Sequence, residues 1–176
     1  MAWLEGFEKI VRQAEPLAMH TWFQLGGPAE YFAEPDDPEQ LVDLVRRCRD
    51  EDVPIRVLGG GSNVLVRDEG VPGMVVHLEA PALAQIRVDG RTIRAGAAAP
   101  LGRVVTTAVR EGLAGIETLI GIPGTLGGAL RGNAGAHAAD IGQWTAEATI
   151  VTAAGEVVQR VREEMAFSYR YSSLDE

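Results

Sequence analysis

Residues 57 to 66 read VLGGGSNVLV, three consecutive glycines followed by serine and asparagine between two apolar, largely β-branched stretches. Glycine reaches φ > 0 and, lacking a side chain, lets another group approach the main chain closely. Successive glycines followed by Ser62 and Asn63 can turn several N–H groups to one side and form an anion-binding nest. The familiar phosphate loops pass from a strand directly into a helix. Here the chain leaves the loop through Val64, Leu65 and Val66, which reads as a second strand. Taken alone, the loop fits a ligand-free tight turn as well as a nest.

A second segment narrows the choice. Residues 115–137, GIETLIGIPGTLGGALRGNAGAH, are rich in glycine but also carry Ile122, Leu126, Ala129 and Leu130, which a flexible linker would not. Such a segment suits close packing against a flat, partly apolar ligand. Two glycine-rich segments in separate lobes suggest an elongated ligand held between them, such as a dinucleotide. Neither segment has the strand–GxGxxG–helix context of a Rossmann turn, and no lysine follows the glycines as a phosphate loop of the GxxxxGK[ST] type requires.

Charge limits the partners. Sixteen basic residues against 25 acidic give a net charge of −9, and Lys9 is the only lysine. Without a basic cluster, a nucleic-acid or anionic-membrane partner is not expected, and bound phosphate must be held by main-chain N–H groups and a few arginines. No apolar run approaches the roughly 20 residues of a membrane span, and the first residues do not read as a signal peptide. The single cysteine, Cys48, precludes an internal disulfide and fits a reducing cytoplasm. His20, His77 and His137 are too scattered along the chain to suggest a metal site, and no metal is expected.

The pattern predicts an amphipathic helix over residues 3–14 and a strand at 29–33. A helix follows, capped by Asp37 with Pro38 and Gln40 behind it and burying Leu41, Leu44, Val45 and Cys48. Strands are expected at 54–58, 64–67 and 74–78, with a hairpin about Asp89-Gly90. Pro100 opens another helix with Leu101, Val104, Val105, Ala108 and Val109 on one face and Gly112 as its stop, and a hairpin turns at Ala154-Gly155. The class is α+β. The expected organisation is an N-terminal helix (1–18) and two lobes (19–80 and 81–176), each a small mixed sheet with helices.

TWFQLGGPAEYF, VLGGGSNVLVRD, GIETLIGIPGTLGGALRGNAGAH and FSYRYS, in this order and spacing, resemble the UDP-N-acetylenolpyruvoylglucosamine reductases, FAD enzymes of peptidoglycan precursor synthesis. GGGSN alone marks the wider vanillyl-alcohol-oxidase (PCMH-type) flavin fold. The resemblance implies that Gly59, Gly60, Gly61, Ser62 and Asn63 wrap the FAD pyrophosphate. It further implies that Gly96, Ala97, Pro123, Gly124, Thr125, Gly128, Asn133, Ala134 and Gly135 lie along the cofactor. In such enzymes NADPH reduces FAD, and the hydride passes to the enolpyruvyl ether of UDP-N-acetylglucosamine, giving UDP-N-acetylmuramate for the cell wall, on which cell shape and division depend. Arg170 matches the arginine that stabilises enolate charge and Tyr169 its active-site neighbour. The chain departs from the family at Gly132, where a larger residue is usual, and at Ala138-Ala139, where glycine is.

Members of that family are longer, with a substrate domain that supplies a serine proton donor and an assisting glutamate. The chain is therefore expected to be a truncated, cytoplasmic, monomeric FAD-binding portion without turnover. Two other readings stay open: another flavin oxidoreductase of the same fold, acting on alcohols or aldonolactones, and a non-catalytic FAD-binding domain.

Overall fold

The structure is a computed structural model that describes residues 2–175. It divides into two compact units: the chain up to Leu83 together with Val151–Glu156, and Ala84–Ile150 together with the chain from Val157 on.

The first unit is built on a four-stranded sheet. Its strands are β1 (Val11–Pro16), β2 (Pro28–Ala33), β3 (Ile55–Leu58) and β4 (Val71–His77), in the order β1-β2-β4-β3. β1 runs antiparallel to β2, whereas β2 and β3 both run parallel to β4. Helix α1 (Pro38–Asp50) makes the crossover from β2 to β3. It starts where local chemistry demands: Asp37 accepts a hydrogen bond from the Gln40 N–H at 2.9 Å, and Pro38 occupies the first turn. Side chains alternate across the sheet. Tyr31, Ala33, Met74 and Val76 pack with Leu44 and Cys48 on one face, while Ala29, Phe32 and Val75 pack with Leu17 and Leu58 on the other. The tip of a later hairpin belongs to this unit, held by α1 through Arg46 Nε to the Gly155 carbonyl (3.0 Å) and Arg49 to the Ala154 carbonyl (2.8 Å).

The second unit begins with the hairpin β5 (Ile86–Asp89) and β6 (Thr92–Ala95), followed by α2 (Leu101–Arg110) and the short α3 (Leu126–Arg131). Small hairpins follow: β7 (Gly135–Ala136) with β8 (Ala139–Asp140), β9 (Glu147–Val151) with β10 (Val157–Val161), and β11 (Phe167–Ser168) with β12 (Tyr171–Ser172). Leu101, Val105, Leu119, Ala129 and Ile141 form its core.

Several expectations are corrected. No helix spans residues 3–14, and 1–18 is not an N-terminal helix: a 3-10 turn at Ala2–Leu4 leads through turns into β1. Gly6, at φ +93°, cannot continue a helix, and residues 11–16 complete a ladder with β2. Leu4, Phe7 and Ile10 still reach the core, so the apolar spacing marked burial rather than helix. Residues 64–67 are not a strand either. They run irregularly past Gly26 and Gly27, with a single bond from the Gly27 N–H to the Arg67 carbonyl (2.8 Å) in place of a ladder. The β5–β6 turn falls on Gly90-Arg91, one residue later than expected, and Val109 is exposed on α2. Helix α3 lies inside the second glycine-rich segment, where Thr125 as N-cap and Leu126, Ala129 and Leu130 at helical spacing specify it.

Candidate functional site

In the first unit, β3 delivers the chain into residues 59–63. Gly61 is buried at φ +61°, and a Cβ there would lie 2.0 Å from the His20 carbonyl oxygen. The Gly61 carbonyl accepts the Trp22 N–H at 3.1 Å. This glycine is therefore demanded by the chain packed behind it, residues 20–22. Gly60 and Asn63, by contrast, are exposed, and Gly59 and Ser62 half-buried. Among the described residues, the N–H groups of residues 60–63 have no protein acceptor. Four successive main-chain donors at a glycine turn suit a polyanion, and a pyrophosphate needs no lysine there.

In the second unit the structure brings two candidate groups together. The loop carrying Gly96 and Ala97 is zipped to the loop carrying Pro123, Gly124 and Thr125: Leu101 N–H to the Gly124 carbonyl (3.0 Å), Leu126 N–H to that of Ala99 (2.8 Å), Gly127 N–H to that of Ala97 (2.9 Å). Gly124 turns at φ +100°. A Cβ on Gly127 would meet that of Ala97 at 2.9 Å, so close approach of main chains explains this glycine without a ligand. Gly128 is exposed on the first turn of α3. Gly132, which departs from the family pattern, closes α3 by donating its N–H to the Gly128 carbonyl (3.3 Å).

The Asn133 side chain is built into the fold. It is buried at φ +43°; its Nδ2 donates to the Ser168 carbonyl (2.9 Å) and its Oδ1 accepts the Gly142 N–H (3.0 Å). Both ends of the amide are engaged within the protein. Ala134 is half-buried beside the core, and its N–H closes on the Ala129 carbonyl (2.8 Å). Gly135 is required by its hairpin, since a Cβ would lie 2.5 Å from the Ala139 carbonyl oxygen. His137 and Ala138, at φ +54° and +64°, form that hairpin's two-residue turn.

Tyr169 and Arg170 form the two-residue turn between β11 and β12. Both are exposed, Tyr169 to 90%, and the Arg170 guanidinium carbon lies 5.9 Å from the Tyr169 ring centroid. The hairpin is braced beneath: Asn133 holds Ser168, and buried Ser172 donates to the Arg131 carbonyl (3.2 Å). Ser172 and Ser173 thus act in the scaffold, Ser173 Oγ accepting the Ala166 N–H at 2.9 Å.

Two features escaped sequence reasoning. Trp22 and Leu65 are large, exposed and apolar beside the GGGSN loop, Trp22 through its N–H to the Gly61 carbonyl and Leu65 in sequence. The second corrects an expectation: His20 and His77 are not scattered but lie with ring centroids 5.3 Å apart. Carboxylates flank them: Glu15 bonds His20 Nε2 (2.9 Å) and Glu34 bonds His77 Nδ1 (3.0 Å), and Arg12 contacts both carboxylates. Burial raises the Glu34 pKa, but the bonds from His77 and Arg12 outweigh it and hold the carboxyl below its ordinary value. Glu15 is lowered chiefly by His20, with Arg12 adding to the effect.

Comparison with known proteins identifies the fold and the family. A family model described as FAD binding domain matches residues 29–160. UDP-N-acetylenolpyruvoylglucosamine reductase 2 of Symbiobacterium thermophilum is 43% identical over 164 residues, covering 93% of this chain and 53% of that protein. The crystal structure of UDP-N-acetylenolpyruvylglucosamine reductase from Thermus caldophilus superposes with a TM-score of 0.75 at 33% identity, over 92% of this chain and 55% of that one. That of 6-hydroxy-D-nicotine oxidase from Arthrobacter nicotinovorans gives 0.61 at 22% identity, over 90% and 34%, a likeness of fold. The chain spans about half the length of the curated relatives it matches. Its α+β architecture is that of the PCMH-type FAD-binding fold. The chain belongs to the FAD binding domain family.

Proposed function

We propose that this chain is the FAD-binding portion of a UDP-N-acetylenolpyruvoylglucosamine reductase, using NADPH and acting as a cytoplasmic monomer. The observation that carries the reading is the row of four main-chain N–H groups at residues 60–63 without protein acceptors among the described residues, in a chain 43% identical to a reductase of that name. Those donors fit the FAD pyrophosphate, and the chain's near-lack of lysine fits a site that uses none. Among the described residues, no helix is long and apolar enough to cross a membrane.

Gly59–Asn63 hold the pyrophosphate, and Gly96, Ala97, Pro123, Gly124, Thr125 and Gly128 offer main chain and small side chains to the rest of the cofactor. Asn133, Ala134 and Gly135 would also lie along the cofactor, with the Asn133 amide bracing that segment from within. When bound, FAD supplies hydride transfer from NADPH to the enolpyruvyl double bond. Arg170, exposed at a hairpin turn, grips the substrate carboxylate through two parallel hydrogen bonds. Negative charge grows on that carboxylate during reduction, so the guanidinium favours the transition state over the ground state. Tyr169 supports the guanidinium from beside it.

A chimera tests this reading, with this chain joined to the part of the Thermus caldophilus reductase that it does not cover. Arg170→Ala should slow enolpyruvyl reduction on the order of 100-fold, the range for one preorganised charge-stabilising donor, and spare FAD reduction by NADPH. If stopped-flow traces show both half-reactions slowed equally, Arg170 has no special role in enolate stabilisation.

A further inference from the structure

His20, Glu34 and His77 lie far apart in sequence, yet the sheet of the first unit places them together. β2 and β4 are parallel neighbours with Ala33 opposite Val76, so the next pair along the register is Glu34 and His77. His20 ends the 3-10 turn Leu17–His20 and stacks on fully buried Phe32, ring centroids 4.3 Å apart. Phe32 also packs 5.6 Å from the His77 ring. The two imidazoles thus share an apolar floor and are largely removed from water, their side chains 16% and 10% exposed.

We propose that His20, Glu34 and His77 form a binding site for one divalent transition-metal ion of the zinc class. One ligand atom from each lies within 4.8 Å of the other two, an arrangement that small side-chain rotations close to bonding distance. Two imidazoles bound tetrahedrally to one zinc at about 2.05 Å per nitrogen have ring centroids about 5.2 Å apart. The rings here stand 5.3 Å apart, inclined by 63°.

The surroundings complete the pattern. Glu15 holds His20 Nε2, leaving Nδ1 to coordinate; this is the outer carboxylate that metal-bound histidines commonly carry. Arg12 binds Oε2 of Glu34 at 2.8 Å and Oε2 of Glu15 at 3.1 Å, which leaves Oε1 of Glu34 facing His77 Nδ1. The ion takes the place of the proton shared between those two atoms. Glu79, exposed and 3.8 Å from His77 Nδ1, can supply a fourth ligand, or water can. Two imidazole nitrogens favour zinc, cobalt, nickel or copper over magnesium or calcium, which prefer oxygen ligands. The site lies wholly within the first unit and is independent of the proposed reductase activity.

The test uses chelator-stripped chain titrated with Co2+, whose visible spectrum reports a tetrahedral nitrogen-containing site, and with Zn2+ in competition. One ion per chain is expected, with a Kd on the order of 10 μM or tighter. His20→Asn, Glu34→Gln and His77→Gln should each weaken binding by roughly tenfold or more. His137→Asn, on an exposed turn where asparagine tolerates φ > 0, should leave it unchanged. Circular dichroism of each variant separates lost ligands from lost fold. If the ligand variants fail to fold, X-ray absorption of the wild-type cobalt complex decides: two imidazoles in the first shell support the site, and an all-oxygen shell overturns it. The proposal is equally overturned by no saturable uptake below about 1 mM, by wild-type affinity in the folded His20→Asn and His77→Gln proteins, or by loss of binding in His137→Asn.

Discussion

Asn133 is the position where a ligand-like motif turns out to brace the fold, and its removal has a magnitude that the structure supplies. Asn133→Ala deletes two hydrogen bonds. The one to the buried Gly142 N–H leaves a donor with no partner, at about 1–3 kcal/mol; the one to the Ser168 carbonyl is half-exposed and contributes about 1 kcal/mol. Alanine also tolerates φ +43° less well than asparagine. The sum is about 2–4 kcal/mol, or roughly 4–16 °C in Tm for a chain of this size. Urea unfolding followed by circular dichroism, with m unchanged, gives the free energy directly. Hydrogen exchange at the Gly142 amide should accelerate at least about tenfold, a change equivalent to roughly 1.4 kcal/mol. Asn133→Gly, relieved of the backbone strain, should lose about 0.5–1 kcal/mol less than the alanine variant. A loss under about 0.5 kcal/mol with unaltered Gly142 exchange would show that the bracket does not hold this region.

Other consequences are simpler. Burial pushes the Cys48 thiol up to about 11, so it should resist thiol reagents at pH 8 in the folded chain and react at once in denaturant; rapid native labelling would contradict that burial. Glu15 and Glu34 titrate lower when folded than unfolded, so their contribution is present above about pH 4.3 and is lost as pH falls through their folded values. Glu15→Gln with Glu34→Gln should flatten the acid limb of the stability–pH curve, and an unchanged limb would refute the linkage. Ala138→Gly should stabilise the chain by about 0.5–1 kcal/mol, because residue 138 sits at φ +64°, and urea midpoints will show whether it does.

What could be read from the sequence was chiefly local. Asp37, Pro38 and Gln40 specify the start of α1 by contacts within one turn, and Pro100 and Gly112 bracket α2 in the same way. The misreadings share a cause, because distant chain decides them. Val64–Val66 have strand composition, but their neighbour is the Gly26-Gly27 corner, which offers one hydrogen bond and no ladder. Trp3, Phe7 and Ile10 recur at helical spacing, yet Gly6 and the pairing of residues 11–16 with β2 fix a different backbone. At the candidate site, the motif located the loops, whereas the use of each residue depended on its packing. Gly61 and Gly135 avoid collisions with neighbouring chain, and Asn133 holds Ser168 and Gly142. The meeting of His20 with His77 depends on sheet register, which no stretch of sequence displays.

On the proposed reading, main-chain N–H groups of residues 60–63 would hold the FAD pyrophosphate. Gly60 is exposed, so a valine there obstructs the approach of a ligand without entering the core. The direct measurement is titration of flavin-stripped chain and its Gly60→Val variant with FAD and with riboflavin, which lacks phosphate. Flavin absorbance and fluorescence report binding. FAD should bind the wild-type chain at least about tenfold more tightly than riboflavin does, a difference of roughly 1.4 kcal/mol from pyrophosphate contacts, and Gly60→Val should abolish that advantage. Equal affinity for the two flavins in the wild-type chain, or an undiminished preference for FAD in the folded variant, would mean that residues 60–63 do not hold the pyrophosphate.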